Sequence, residues 1–180
     1  MSKLILNTFQ NIKNNKIPVW FMRQAGRYLP EYQEIRNKNK NFIKFCLNVN
    51  DATTVTIQPI NRFDLDAAII FSDILLVPFA LGQPVKFKKD FGPLLGEIDF
   101  NKMSNINEIQ FTDKLKPVYN AIKKTKDKIE LKNKDLIGFV GAPWTILIYM
   151  LNQKSPKNED FSHKLRDQKF IEDLLEVIVK

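Results

Sequence analysis

Apolar positions along the chain fall into two kinds of run. Residues 65–71 (LDAAIIF) and 136–140 (LIGFV) are short and almost continuously apolar. A strand wet on one face alternates apolar with polar, so unbroken runs between polar or turn residues predict strands buried on both faces, the habit of parallel sheets. Between them Leu115, Val118, Tyr119 and Ile122 recur at the helical period, with Thr112 placed to cap, and Lys123, Lys124, Lys126 and Lys128 fall to a solvated face. The same period predicts a helix over Lys169–Val179 through Ile171, Leu174, Leu175 and Ile178, and a further helix covers Thr145–Leu151. Pro30, followed by Glu31 and Glu34, marks a helix start. Another helix begins near Asn50, with Asp51 as its cap and Pro59 disturbing its end. Strand, helical crossover, strand and helix together predict an α/β fold with a parallel sheet. Two central strands are too few for a self-sufficient sheet or barrel, so residues 1–180 read as one incomplete domain, the first part of something larger.

Composition changes this picture little. With 44% apolar and 27% charged residues the chain is an ordinary globular one rather than a disordered one. Cys46 is the single cysteine, lies between Phe45 and Leu47, and is expected to be buried and inert, which excludes a disulfide framework. No apolar run approaches the roughly 18–20 residues that span a bilayer, and the opening residues lack a signal-peptide core, so the expected compartment is the cytosol. The net charge is +8, carried mainly by 23 lysines scattered among asparagines. Nucleic-acid binders cluster Arg and Lys with aromatics, so no nucleic-acid partner is expected; a diffuse positive potential still attracts a polyanionic small molecule.

Arginine is scarce, and its placement is therefore informative. Three of five, Arg23, Arg27 and Arg36, fall within fourteen residues. The guanidinium fork holds carboxylates bidentately and keeps its charge when desolvated. Arg23 and Arg27 flank Gln24-Ala25-Gly26, whose small residues permit close backbone approach. For Arg36 a surface pair with Glu31 or Glu34 is the simpler reading; for Arg23 and Arg27 a binding role and a surface role both stand. Asp73, in Phe71-Ser72-Asp73 after the first predicted strand, sits where α/β enzymes keep ligand-contacting groups, but Ser72 or Asp73 could equally cap the following turn. After the second predicted strand comes Gly138-Phe139-Val140-Gly141-Ala142-Pro143, then a helix on which Thr145 and Tyr149 share a face. By itself this is a tight turn with Trp144 and Tyr149 in the core; the glycines do not match a dinucleotide or Walker loop. His163 stands by itself in a polar stretch and reads as a surface residue, and no zinc spacing or nucleophile elbow occurs.

Taken together, the segments Pro18–Tyr32 (PVWFMRQAGRYLPEY), Gln58–Gln83 (QPINRFDLDAAIIFSDILLVPFALGQ) and Gly138–Met150 (GFVGAPWTILIYM) resemble the uroporphyrinogen decarboxylase family of haem biosynthesis, in order and spacing. The resemblance runs through most of the chain and is weakest over 100–134. It implies a (β/α)8 TIM barrel working as a homodimer without metal or organic cofactor, with no membrane association. The implied reaction converts the four acetate side chains of uroporphyrinogen III to methyl groups, giving coproporphyrinogen III and carbon dioxide. By the same resemblance Arg23 and Arg27 bind substrate carboxylates, and Arg23 is also a candidate for proton transfer. Gln24, Ala25, Gly26 and Arg27 form an anion-binding loop within a substrate-binding segment, 18–36. Asp73 accepts hydrogen bonds from the pyrrole N–H groups, Phe139 packs on the macrocycle, and Tyr149 contacts the reacting region.

The chain departs from the family in length. Family members are roughly twice as long, and a barrel of this kind needs about 250 residues. The expectation is therefore an amino-terminal half, lacking the later strands and the later serine and histidine that help line the cleft, and inactive by itself. Asn152-Gln153-Lys154 also stands where a glycine-rich turn is expected. The alternative is a non-catalytic remnant or porphyrinogen-binding module. A methyltransferase of the related barrel superfamily fits less well, because metal ligands would be expected in place of the arginines.

Overall fold

The computed structural model describes residues 3–22, 26–130, 133–156 and 167–180. In chain order these form α1 (Leu4–Phe9), α2 (Pro30–Lys38), α3 (Phe42–Cys46), α4 (Val49–Phe63), β1 (Ala67–Ile69), α5 (Leu76–Ala80), β2 (Val85–Lys88), β3 (Gly92–Leu95), α6 (Phe100–Ser104), α7 (Glu108–Glu130), β4 (Asp135–Ile137), α8 (Pro143–Asn152) and α9 (Gln168–Val179). The class is mixed α/β. Two compact units result, one from Met1–Lys40, Lys44–Ser72 and Pro117–Phe139, the other from Asn41–Ile43, Asp73–Lys116 and Val140–Lys180. Among the described residues no helix is long and apolar enough to cross a membrane.

In the first unit β1 and β4 pair in parallel, with Ala67 opposite Asp135, Ala68 opposite Leu136 and Ile69 opposite Ile137. The two continuous apolar runs are thus the paired strands, but each is shorter than its run. At the far end the Phe71 N–H leaves the ladder for the Thr56 hydroxyl at 2.9 Å. At the near end Asp135 extends β4 beyond the apolar run. Its buried carboxylate accepts the N–H groups of Ile5 and Leu6, at 3.0 and 3.2 Å, from the first turn of α1. A buried charge met by two backbone donors is tolerated where an unmet one would not be.

Helix α4 corrects two expectations. Its cap is Asn48, not Asp51: the Asn48 amide oxygen accepts from Asn50 N and Asp51 N at 3.0 and 3.1 Å, a contact typically worth about 1 kcal/mol. Asp51 lies within the first turn and accepts from the Asn39 amide at 2.9 Å. Pro59 does not end the helix, which runs on to Phe63. Ile57 and Ile60, on either side of it, bury in one cluster with Ala68 and Ile129. Two such side chains contribute about 3–6 kcal/mol, enough to offset the roughly 3 kcal/mol of an internal proline.

Helix α7 starts one turn before the expected cap. Asn107 and Gln110 form a reciprocal pair, Gln110 N to Asn107 Oδ1 at 2.9 Å and Asn107 N to Gln110 Oε1 at 3.1 Å. Thr112 is inside the helix, its hydroxyl donating back to the Glu108 carbonyl. Tyr119 is 46% exposed, whereas Leu115, Ala121, Thr125 and Ile129 are buried. The buried face uses small residues for close approach, with the Thr53 hydroxyl reaching the Ala121 carbonyl at 3.5 Å. A search for large apolar residues misses such a face.

The second unit is built around Leu75, Leu81, Leu95, Met103, Ile146, Leu147, Met150, Ile171 and Leu174. Asp167 caps α9 through Phe170 N. Trp144, expected in the core, is 52% exposed. It stands two residues before buried Ile146, and two residues on a helix is more than half a turn. The antiparallel hairpin of β2 and β3, with Val85 opposite Leu95 and Lys88 opposite Gly92, was not anticipated. Its signal is the alternation Val85-Lys86-Phe87-Lys88 before a turn with Asp90 and Gly92 at φ 66° and 84°. Cys46 is buried, as expected.

Candidate functional site

Arg23, Gln24 and Ala25 lie outside the described residues, as does His163. The flanks of the arginine segment are held at both ends of β1. Upstream, Val19 N donates to Asp66 Oδ2 at 2.8 Å and Asp66 N to the Val19 carbonyl at 2.9 Å, just before β1 begins. Downstream, Gly26 is buried with φ 54°, a conformation glycine adopts freely, and its carbonyl accepts Leu29 N at 2.6 Å. The Gln33 side chain donates to the Arg27 carbonyl. Proline at the first position of α2 follows, and Tyr32, buried, sets its ring edge-on to Phe71 at 6.1 Å. Phe45 closes this aromatic cluster, 6.1 Å from Tyr32 and 4.7 Å from Phe71.

Electrostatics around this segment are readable. Burial pushes the Tyr32 hydroxyl above its ordinary pKa, and the Arg27 and Arg36 charges pull the other way. The Arg27 side chain itself is exposed. Glu31 is held below the usual carboxylate range by a hydrogen bond at its own backbone, against desolvation, with further help from Arg62. Arg62 reaches both Glu31 oxygens, at 3.0 and 2.9 Å. Glu31 is thus engaged by a residue from α4, and Arg36, expected to pair with Glu31 or Glu34, donates to the Asn39 carbonyl. A cleft of about 770 Å³ opens beside the segment, walled by Phe21, Met22, Gly26, Tyr28 and Phe63 with Lys16, Asp64 and Asp66 at its charged side.

Asp73 opens the second unit, four residues after β1 ends in the sequence. It is half-buried, and its Oδ1 accepts Leu75 N at 2.9 Å while its carbonyl accepts Leu76 N at 3.2 Å. It therefore does serve the turn into α5, one of its two expected roles. The third motif meets this turn through Gly141. A Cβ there would lie 2.9 Å from Ile74 Cβ and 2.9 Å from Ile146 Cγ1, so only glycine lets the strand-to-helix turn approach the residue after Asp73. Tyr149, on α8, is half-buried against the same cluster that contains Leu75. Thr145, expected to share its face, is exposed. Phe139 belongs to the first unit, two residues past β4, and is 43% exposed.

The sequence profile of the family described as Uroporphyrinogen decarboxylase (URO-D) matches residues 1–180. The chain belongs to the uroporphyrinogen decarboxylase family. Relatives bearing that name from Rickettsia felis and Rickettsia canadensis are each 49% identical to it over 162 residues, 90% of this chain. One from Rickettsia bellii is 48% identical over 151 residues, 84% of the chain. The chain spans about half the length of these relatives, between 44% and 47%. Within this chain, sequence reasoning missed Asp66 and Gly141. The first looks like the one polar residue inside the apolar run 65–71, and the second like any turn glycine. Their partners lie far away in the chain, and only the fold supplies them.

Proposed function

We propose that this chain is the amino-terminal part of a (β/α)8 barrel enzyme that converts the four acetate side chains of uroporphyrinogen III to methyl groups. The observation that carries the reading is the match of the whole chain to the family, with relatives of that name half identical across nine-tenths of it. In this reading Asp73 and Phe139, which follow β1 and β4 in the chain, come after the carboxyl ends of barrel strands, where barrel enzymes keep their chemistry. The whole enzyme is read as a cytosolic homodimer, and residues 1–180 as one incomplete catalytic domain.

The chemistry suits these residue types. The substrate carries eight carboxylates, and the Arg23–Arg27 segment supplies fixed guanidinium charge for them. Protonation of a pyrrole carbon makes a cation. The carbon–carbon bond to the carboxylate then breaks, its electron pair flows into that cation, carbon dioxide leaves, the side-chain carbon takes a proton to become the methyl group, and the ring carbon gives up the proton it had taken, which restores the pyrrole. The pyrrole is thus the electron sink. Asp73 accepts pyrrole N–H groups and stabilises the cation electrostatically. Arg23 is the group proposed to move the proton; Phe139 and Tyr149 pack on the macrocycle and near the reacting carbon.

The test joins this chain to the remaining part of the Rickettsia felis relative and measures carbon dioxide release from uroporphyrinogen III, beside the chain by itself. The chimera is expected to turn over and the chain by itself to be inactive, because β1 and β4 would be left with unpaired edges. A folded chimera that binds or releases nothing overturns the reading; an active, soluble 180-residue monomer overturns the half-barrel part of it.

A further inference from the structure

The geometry points to Gln83 as a positioning residue for Tyr149, acting through the last turn of α8 and needing no contact with substrate. The Gln83 side chain is buried, and its amide nitrogen donates twice, to the Gly96 carbonyl at 2.8 Å and to the Met150 carbonyl at 3.2 Å. Its backbone N–H donates to the Pro78 carbonyl of α5 at 2.9 Å. One residue thus ties together α5, the end of β3 and α8, all within the second unit. The strand end is held close for this purpose. Gly96 N donates to the Pro84 carbonyl at 2.8 Å, and a Cβ on Gly96 would lie 2.9 Å from Pro84 Cγ. Beside it, Leu95 N donates to the Gln153 carbonyl at 2.7 Å, just past the end of α8.

Apolar packing seats α8, and these bonds choose its rotation. Ile146, Leu147 and Met150 bury in the cluster that includes Leu75, and contacts of this kind are non-directional, with methionine the most adaptable. A hydrogen bond weakens steeply once its angle is lost. The Met150 carbonyl lies in the last turn of α8, where no later N–H of the helix can take it, and Tyr149 is the residue before it. Any turn or slide that breaks the Gln83 bond therefore moves Tyr149 as well. The near end of α8 is fixed by the approach of Gly141 to Ile74, and Gln83 supplies a second point, about 10 Å further along the helix. Without it, a swing of about 5° about the near end shifts Tyr149 by about 1 Å, and a misplacement of that size costs about 10²-fold where a group must meet a reacting atom. The Gln83 Oε1 is buried with no partner among the described residues. That orphan acceptor offsets much of what the two donor bonds add to stability, which leaves geometry as the main thing the amide supplies. The consequence rests on the decarboxylase reading of Tyr149, and the cause on the bonds themselves.

The experiment measures carbon dioxide release from uroporphyrinogen III and urea unfolding on the chimera. The variants are Gln83→Leu, Gln83→Asn, Tyr149→Phe, Gln83→Leu combined with Tyr149→Phe, and Asp99→Ala. Asp99→Ala removes the cap of α6, in which Asp99 Oδ1 accepts Lys102 N at 3.1 Å, and so loosens the same unit at a helix other than α8. Gln83→Leu is expected to lower kcat about tenfold with KM within about twofold of the parent, and Asp99→Ala to lower the urea midpoint with kcat unchanged. Gln83→Asn, a methylene shorter, should fall between parent and Gln83→Leu, and it carries the test if the leucine variant fails to fold. The double variant should be no slower than Tyr149→Phe, because both changes remove the same contribution. A parental kcat in the Gln83 variants, losses that multiply in the double variant, or an equal loss of kcat in Asp99→Ala overturns the positioning role. A parental kcat in Tyr149→Phe takes Tyr149 out of the chemistry, and an inactive parent chimera overturns the decarboxylase reading itself; the positioning role falls with either.

Discussion

Gly141→Ala isolates the contact that joins the third motif to the turn carrying Asp73. The added methyl would sit 2.9 Å from Ile74 Cβ, 3.0 Å from Ile74 Cγ2 and 2.9 Å from Ile146 Cγ1. Ile74 Cβ is bonded directly to the backbone and cannot rotate away, so relief requires the turn or α8 to move. Overpacking of this kind costs about 1–3 kcal/mol. Against it stands the reduced freedom of the unfolded chain, worth about 0.4–1 kcal/mol for a glycine-to-alanine change. The net expectation is a loss of about 1–2 kcal/mol. Gly138→Ala supplies the control within the same motif, because nothing lies within 4 Å of its added methyl. It should be neutral or slightly stabilising, within about 1 kcal/mol. Urea unfolding of both variants in the chimera, with unchanged slope, measures the difference directly. Because the displaced Ile74 adjoins Asp73, Gly141→Ala should also lower carbon dioxide release, and Gly138→Ala should not. If the two alanine variants are equally stable, the close approach of Gly141 to Ile74 is not what holds the turn, and the argument fails.

Asp73→Asn keeps an oxygen able to accept Leu75 N–H, so stability should stay within about 0.5 kcal/mol while turnover falls by about 10²-fold or more; parental activity would leave Asp73 as a turn residue only. Arg23→Ala should cost about 1.5–3 kcal/mol in binding, roughly 10–150-fold, with Arg23→Lys recovering only part; near-normal carbon dioxide release would refute the substrate-binding role. Burial raises the Tyr32 pKa in the folded chain above its ordinary 10.0. The folded value exceeds the unfolded one, so this group's contribution is complete below pH 10 and is lost as pH rises through the folded value. Tyr32→Phe should therefore lose less stability than the parent between about pH 9 and pH 11, and identical slopes in unfolding experiments would contradict the burial argument.

What the sequence determined by itself was whatever depends on local period and composition. Continuous apolar runs marked β1 and β4, because strands covered on both faces cannot alternate. The helical stripe of α9 and the proline-led start of α2 follow from side-chain spacing and a fixed φ. Scarcity made the arginines conspicuous before any geometry was known. The tertiary structure decided what depends on distant partners. Asn48 and Asn107 became the caps in place of Asp51 and Thr112, because neighbouring polar residues are equivalent until the helix register is fixed. Helix α4 passed through Pro59 because burial of Ile57 and Ile60 outweighs one lost backbone bond. Asp135 entered a strand because α1 brought it two N–H donors. Asp66 and Gly141 acquired their roles from Val19 and Ile74, each reached only across the fold. Local patterns set the period of an element, but close approach and charge pairing depend on which segments the topology brings together.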